Sequence, residues 1–278
     1  MTKQKKILIT GAHSYIGESV KEYLQQEPEN YIVEIIEAKG LKPIPKIFKG
    51  YDVVLNVAGI AHIKETKENQ HLYYNVNRDL AIEIANAAKE AGVRQLVLLS
   101  SMSVYGLITG HITKNTVPHP VNSYGKSKLQ ADVEIKKLED IDFKFACLRP
   151  PMVYGKGCKG NYQKLRSFAL KSPVFPAYQN QRSMIYIGNL CEFVKNVIDF
   201  ERTGLFFPQN AEYVSSANLV KLIANMHGKS IWLTHLFNLP IIFNRFNVLK
   251  KVFGDLTYEQ VDVIDKFGLQ ASIQLTEK

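Results

Sequence analysis

The sequence predicts a doubly wound α/β fold: a parallel sheet covered by helices on both faces, with a smaller C-terminal lobe. Three observations predict it. Short, continuous apolar runs alternate with helical patterns as far as Arg149-Pro150. A glycine-containing turn joins the first run to the first helical pattern. After Pro151 the alternation loosens. Strands that are apolar at every position, rather than at every second one, are buried on both faces, as in parallel sheets.

The elements follow in order. Lys6 to Thr10 reads as a buried strand, and Tyr15 to Gln26 has helical spacing. Tyr31 to Ile36 is β-branched and ends at Glu37, and Asp52 to Val57 is an apolar strand entering Ala58-Gly59. Asn69 to Ala91 reads as one long helix with Leu72, Val76, Leu80, Ile84 and Ala88 on a stripe, ended by Gly92. Gln95 to Ser100 is another strand. A loop with Pro118 and Pro120 leads to a helix from Tyr124 to about Ile141, and Phe143 to Leu148 is a strand stopped by Arg149-Pro150-Pro151. Lys156 to Tyr162 is a Gly-rich loop, and Tyr186 to Phe200 reads as strand then helix. The expected division is a nucleotide-binding domain over 1–155 and a mainly substrate-binding lobe over 156–278, with some elements returning to the sheet. Ligands of such sheets bind at the strand ends.

The chain has 278 residues, 46% of them apolar and 22% charged, ordinary values for a soluble enzyme. A net charge of +9 admits an anionic ligand, but the Lys and Arg are scattered rather than blocked, which favours a small anion over a nucleic acid. Cys147, Cys158 and Cys191 form no CxxC pair; reduced thiols in a cytoplasmic protein are the simplest reading, and no metal site is expected. The apolar run after the basic N-terminus, Ile7-Leu8-Ile9, is too short for a signal peptide. The apolar stretch Ile231 to Leu249 is interrupted by His235, Asn238, Pro240, Asn244 and Arg245, so it reads as a buried or interfacial element rather than a span.

Chemistry enters with Tyr124-Gly125-Lys126-Ser127-Lys128. A tyrosine and a lysine four apart share one helix face. Of the fourteen tyrosines, only Tyr124 has lysine at that offset. A phenol titrates near ~10. A neighbouring ammonium favours the phenolate and lowers that value, which makes a usable acid or base for hydroxyl–carbonyl interconversion. A plain surface contact is the alternative.

Three further clusters surround the pair. Thr10-Gly11-Ala12-His13-Ser14-Tyr15-Ile16-Gly17 lies where a phosphate turn belongs, with backbone N–H groups and a helix dipole to attract a pyrophosphate. Ser14 stands where a three-glycine turn has its second glycine, and its Cβ would crowd the phosphate. Glu37, at a strand end, can accept from a ribose 2′-OH and repel a 2′-phosphate, which favours NAD over NADP; Lys39 argues the other way. Ser100-Ser101-Met102-Ser103-Val104-Tyr105-Gly106 puts a hydroxyl at the end of a buried strand, facing the ligand crevice.

With Asn56-Val57-Ala58-Gly59, Asn77, Arg149-Pro150-Pro151-Met152-Val153-Tyr154-Gly155 and Arg182-Ser183-Met184-Ile185-Tyr186-Ile187, these motifs carry a match that extends over most of the chain. The chain resembles the extended short-chain dehydrogenase/reductase family, in its NAD-dependent epimerase/dehydratase (nucleotide-sugar) branch. The resemblance implies a Rossmann-like fold and a catalytic triad of Ser101, Tyr124 and Lys128. Tyr124 would carry the proton, Lys128 would bind the nicotinamide ribose, and Ser101 would orient the substrate oxygen. It implies that Gly11, Ser14, Tyr15, Ile16, Gly17, Glu37, Ala58, Gly59, Asn77 and Pro150 contact NAD or NADP. Ser101, Met102, Asn161 and Arg182 would meet a UDP-sugar, Arg182 through the diphosphate. A homodimer through the helices starting near Asn69 and Tyr124 is a further option that the family offers.

Two departures from the family narrow the reading. The segment from Glu37 to Asp52 is short and lacks the acidic strand that usually contacts adenine, so that base would be loosely held or the third strand missing. The Asp-Glu pair of sugar dehydratases is replaced by Met102-Ser103, which can neither protonate a leaving oxygen nor take a C5 proton. Two C4 reactions remain: reduction of a UDP-4-keto-6-deoxy-(N-acetyl)hexose for surface polysaccharide synthesis, which is preferred, and 4-epimerisation of UDP-glucose or UDP-N-acetylglucosamine. A non-catalytic cofactor sensor on the same fold is the distant alternative.

Overall fold

Ile7, Leu8 and Ile9 are fully buried, as an interior strand of a parallel sheet covered on both faces requires. The structure is a computed structural model that describes residues 4–61, 63–237 and 247–278. The chain divides into two compact units. The first comprises Met1–Gly106, Pro118–Pro150 and Cys191–Phe207; the second comprises Leu107–Val117, Pro151–Leu190 and Pro208–Lys278.

The first unit is built on a six-stranded parallel sheet. Its strands are β1 (Lys5–Thr10), β2 (Tyr31–Ile36), β3 (Val53–Asn56), β4 (Gln95–Leu99), β5 (Lys144–Leu148) and β6 (Gly204–Phe206), in the order β6-β5-β4-β3-β1-β2. The register aligns Thr10 with Asn56 and Leu99 with Leu148, so the strand ends that carry the site stand level. β2 is the edge strand. The chain from Glu37 to Asp52 adds none beyond it, forming only the single turn Pro45–Phe48. Of the two outcomes anticipated for this short segment, the structure has the missing strand. Helix α1 (Tyr15–Leu24) follows β1, and α2 (Ser123–Lys136) precedes β5. Phe48, Val54, Ile84, Leu96, Ile135 and Phe145 pack in one core cluster.

The stretch read as one helix over Asn69 to Ala91 is helical throughout but not uniform. Gln70–Tyr74 and Leu80–Glu90 are α-helical, while Asn75–Asp79 between them is a π turn. A π turn inserts an extra residue and rotates the face before it. Leu72 is therefore exposed and Val76 only half-buried, whereas Tyr73 and Asn77 point inward; the stripe holds from Leu80 onward, with Ile84 and Ala88 in the core. The Tyr124 helix ends at Lys136 rather than near Ile141, and Ile141 is exposed in the turn that follows.

The second unit consists of two-stranded parallel pairs and helices. Met152–Tyr154 pairs with Met184–Tyr186, Val174–Pro176 with Trp232–Thr234, and Gly110–Ile112 with Leu256–Tyr258. Its C-terminal helix, Leu269–Glu277, is pinned by Glu277, which accepts from Tyr162 OH and Arg166 Nε, each at 2.7 Å, and meets His227 Nε2 at 2.6 Å. Of the apolar stretch from Ile231 to Leu249, residues 238–246 lie outside the described residues; Ile231 is buried while Trp232 and Leu236 are exposed. Among the described residues no helix is long and apolar enough to cross a membrane. Cys147, Cys158 and Cys191 are free and buried.

Candidate active site

The turn between β1 and α1 is shaped by close approach. Gly11 has φ +119°, a conformation that side-chain-bearing residues rarely adopt. Ser14 is the N-cap of α1, and its Oγ accepts from Gly17 N–H at 2.9 Å. The hydroxyl at the position where the sequence led us to expect crowding is thus bonded to the helix's own first turn. Gly17 is the counterpart: a methyl there would come within 2.6 Å of Ser14 Oγ and 2.9 Å of Val57 Cγ2. The cradle leaves room for a ligand phosphate to approach the backbone amides of Tyr15 and Ile16 at the positive end of α1, so these residues fit a dinucleotide. Glu37 is exposed after β2, and its Oε1 accepts from Lys39 N–H at 2.8 Å, which holds its carboxyl below the usual range.

Beyond β3, Ala58 is buried and its N–H donates to Asn56 Oδ1 at 3.1 Å. Asn77, fully buried in the π turn, grips this loop: its Oδ1 accepts from Ile60 N–H at 2.8 Å, and its Nδ2 donates to Ile60 O at 3.1 Å and Ser127 Oγ at 3.3 Å. The Asn77 amide thus binds the chain itself and shapes the edge that Gly59 presents. The end of β4 is fixed in the same way. Ser100 N–H donates to Leu148 O at 2.7 Å, and Met102 N–H to Pro150 O at 3.1 Å.

Helix α2 brings the pair to this edge. Its first turn is capped by Asn122 Oδ1, which accepts from Gly125 N–H at 2.8 Å, and by Glu65, which accepts from Ser123 Oγ at 2.7 Å. A carboxylate there suits the helix dipole. Gly125 lets α2 press on the 3₁₀ turn Met102–Tyr105, since a methyl would lie 2.5 Å from Ser103 O. Ser101 opens that turn. Its Oγ accepts from Ser103 N–H at 3.1 Å, which leaves the hydroxyl proton to act on the Tyr124 phenol, whose pKa Ser101 draws down against burial. Lys128 is buried and its Nζ donates to Leu99 O at 2.8 Å; a methyl on Gly59 would stand 3.2 Å from that Nζ. The Tyr73 ring meets the Tyr124 ring edge-on, centroids 6.4 Å apart.

The electrostatics differ from expectation in one respect. Lys128 was expected to draw the Tyr124 phenol down. Burial instead raises it, with the Ser101 hydrogen bond pulling the other way. Burial also pushes Lys128 down to about 8, against the pull of Asp132. In a dry site the desolvation of each charge outweighs their mutual help. Ser101, Tyr124, Lys128, Ala58, Gly59 and Asn77 are thus brought together, and Pro150 underlies the turn that carries Met102. Sequence reasoning missed Glu65, Tyr73 and Asp132. Asp132 had a signal, since it repeats the four-residue spacing from Lys128.

Asn161 and Arg182 lie in the second unit. Asn161 is exposed and begins the helix Asn161–Lys171. Arg182 is half-buried. Its Nη1 donates to Gly254 O at 2.7 Å, and burial lowers its pKa while Asp255 opposes the fall.

Comparison with known proteins bears on the family and the fold. A family model described as the NAD dependent epimerase/dehydratase family matches residues 7–204. The UDP-glucose 4-epimerase of Vibrio cholerae is 26% identical over 302 residues, spanning 99% of this chain and 89% of that protein. The N-acetyl-alpha-D-glucosaminyl-diphospho-ditrans,octacis-undecaprenol 4-epimerase of Escherichia coli O157:H7 is 28% identical over 206 residues, spanning 68% of this chain and 62% of that protein. Among solved structures, UDP-glucuronic acid 4-epimerase from Bacillus cereus in complex with NAD is similar with a TM-score of 0.78 at 17% identity, over 98% of this chain and 95% of that one. A dTDP-4-dehydrorhamnose reductase from Clostridium acetobutylicum is similar with a TM-score of 0.70 at 23% identity, over 82% of each chain. These two structures bear on the fold alone. On the family match, which spans the sheet and the Tyr124–Lys128 helix, the chain belongs to the NAD-dependent epimerase/dehydratase family and is an NAD(P)-dependent enzyme.

Proposed function

We propose that this enzyme reduces the C4 ketone of a UDP-4-keto-6-deoxy-(N-acetyl)hexose. NAD(P)H supplies the hydride. Tyr124 gives its phenolic proton to the C4 oxygen, a role suited to a phenol that burial keeps protonated. Ser101 donates a hydrogen bond to the same oxygen, keeping its own proton, and fixes the oxygen's position. The Lys128 ammonium offsets the charge left on Tyr124 once the proton has gone. Met102 and Ser103, at the start of the 3₁₀ turn, provide no acid–base pair for chemistry at C5 or C6. Arg182 is the proposed contact for the sugar's diphosphate.

The observation that carries this reading is the bare edge of β2. The adenosine half of a dinucleotide lies on the β2 side of such a sheet. With no strand beyond β2, that half is walled on one side only, and Glu37 next to it is exposed. This favours a cofactor that exchanges, as a reductase requires at every turnover, over one that stays bound. Glu37 further favours NADH over NADPH.

A second reading, 4-epimerisation of a UDP-hexose, is favoured by the Vibrio cholerae relative, which matches over nearly the whole chain. Incubation with NADH, NADPH and a panel of UDP-sugars that includes 4-keto-6-deoxy forms separates the two. The reductase consumes one reduced cofactor per sugar converted. Interconversion of UDP-hexoses without net cofactor change would replace this proposal with the epimerase.

A further inference from the structure

Tyr124 and Lys128 are followed on α2 by a third chemically active side chain at the same spacing. Asp132 is buried, four residues beyond Lys128. Groups from two neighbouring strand ends converge on its Oδ2, while its Oδ1 is buried without a hydrogen-bond partner. Ser100, at the end of β4, donates its Oγ–H at 2.8 Å. Arg149, after β5, donates Nε–H at 3.0 Å and reaches Tyr105 OH with Nη1 at 2.8 Å. The Cys147 thiol on β5 feels the same carboxylate, which adds to the rise that burial imposes on it. Lys128 has a different environment. Leu99 O accepts its proton, and Asn77 and Gly59 beside it carry no charge. Asp132 is the anionic group that acts on it, alongside the Cys147 thiol.

We propose that Asp132 is a positioning residue that acts through Lys128: its carboxylate, one helical turn away, keeps the buried ammonium charged and so sets the upper pH at which Tyr124 and Lys128 can work together. Resting on the C4 chemistry proposed above, this adds a residue that touches neither substrate nor cofactor.

The physical case has two parts. A buried lysine with only a carbonyl acceptor sheds its proton readily, and a nearby carboxylate opposes that loss. The carboxylate must itself stay ionised in a dry place. Burial pushes the Asp132 carboxyl up, and the Arg149 guanidinium, paired with it at 3.0 Å, is the main group opposing that rise, with Ser100 and Lys128 assisting; a guanidinium does not deprotonate in proteins.

The competing interpretation is a clasp that merely ties α2 to β5. The two differ in the effect of pH. Removing a negative charge lowers the pKa of both of its neighbours, so Lys128 loses its proton sooner and the Tyr124 phenol ionises sooner. Both changes move the alkaline limb of turnover to lower pH. A clasp would reduce the rate equally at every pH.

The test is the pH dependence of kcat/KM for the unaltered enzyme, Asp132→Asn, Asp132→Glu and the double variant Asp132→Asn/Arg149→Met. It is run on whichever C4 reaction the protein performs, so failure of the reductase reading does not remove it. NADH binding, read by fluorescence without any sugar, verifies that each variant is folded. The double variant removes the buried pair together, which keeps the test available if Asp132→Asn alone does not fold. The expected result is an alkaline limb lowered by at least about one pH unit in Asp132→Asn, lowered by a smaller amount in the double variant, which also loses the opposing positive charge, and restored in Asp132→Glu. An unmoved limb with a uniform loss of rate in either charge-removing variant would overturn the proposal. So would an Asp132→Glu limb as low as that of Asp132→Asn.

Discussion

The Lys128 ammonium donates to the carbonyl oxygen of Leu99 at 2.8 Å. That one hydrogen bond ties the middle of α2 to the last residue of β4, two positions before Ser101. The lysine is thereby held at the strand end before any ligand arrives. The same tether explains why Lys128 can be buried: its charge has a fixed dipole to face, with Asp132 one turn further on.

Replacement of Tyr124 by Phe keeps the ring that packs against Tyr73 and removes the proton. Turnover should fall by roughly 10²- to 10⁴-fold. NADH affinity, measured by fluorescence titration, should be largely unchanged. Full activity in this variant would refute the proton-carrier role.

Gly17→Ala should distort the phosphate turn, because the added methyl meets Ser14 Oγ and Val57 Cγ2 inside contact distance. Overpacking of this kind costs about 1–3 kcal/mol. Both the melting temperature and NADH affinity should drop. Pairing the change with Ser14→Gly removes the closest contact and should recover part of each. No recovery would show that Val57 is the obstacle.

Asn77→Ala leaves the N–H and C=O of Ile60 without their partner and breaks the link to Ser127. Losing partners for buried polar groups costs about 1–3 kcal/mol each. Urea denaturation should show a loss in that range, with NADH binding weakened because Gly59 and Ile60 are no longer held. An unaltered midpoint would mean that the π turn holds without its amide.

Glu277 gives the second unit an acid-sensitive lock. Burial works against its charge, but His227, Tyr162 and Arg166 hold its pKa below the usual carboxylate value. The sign follows from that depression: the stabilisation is complete above the unfolded value near ~4.3 and is lost as pH falls through the lower folded value. Melting temperature should therefore fall more steeply below about pH 5 in the native protein than in Glu277→Gln. Parallel curves would remove Glu277 from the acid response.

The sheet and the reactive pair were legible in the sequence because each leaves a local trace. Strands buried on both faces must be apolar throughout, as in Ile7-Leu8-Ile9, and a Tyr–Lys pair four apart on a helix is visible as spacing. The short segment after Glu37 offered the absent strand as one of two outcomes, without deciding between them. The π turn at Asn75–Asp79 was not legible, because it exists to let Asn77 reach Ile60, a contact made across 17 positions of sequence. Its extra residue turned Leu72 outward and defeated the helical stripe. The direction of the Tyr124 shift was missed for a similar reason: spacing shows which charges are near, but not how much water has gone. Asp132 showed only its four-residue spacing from Lys128; the ion pair with Arg149 and the bond from Ser100 are made across the fold and leave no local trace.

The most direct test of the C4 assignment follows the hydride itself. The enzyme is incubated with NADH dideuterated at the nicotinamide C4 and a UDP-4-keto-6-deoxy-N-acetylhexose, and the sugar product is examined by NMR and mass spectrometry. The proposal predicts one deuterium at sugar C4 for every cofactor oxidised. Product carrying no deuterium, or cofactor left unconsumed while the C4 configuration changes, would contradict it.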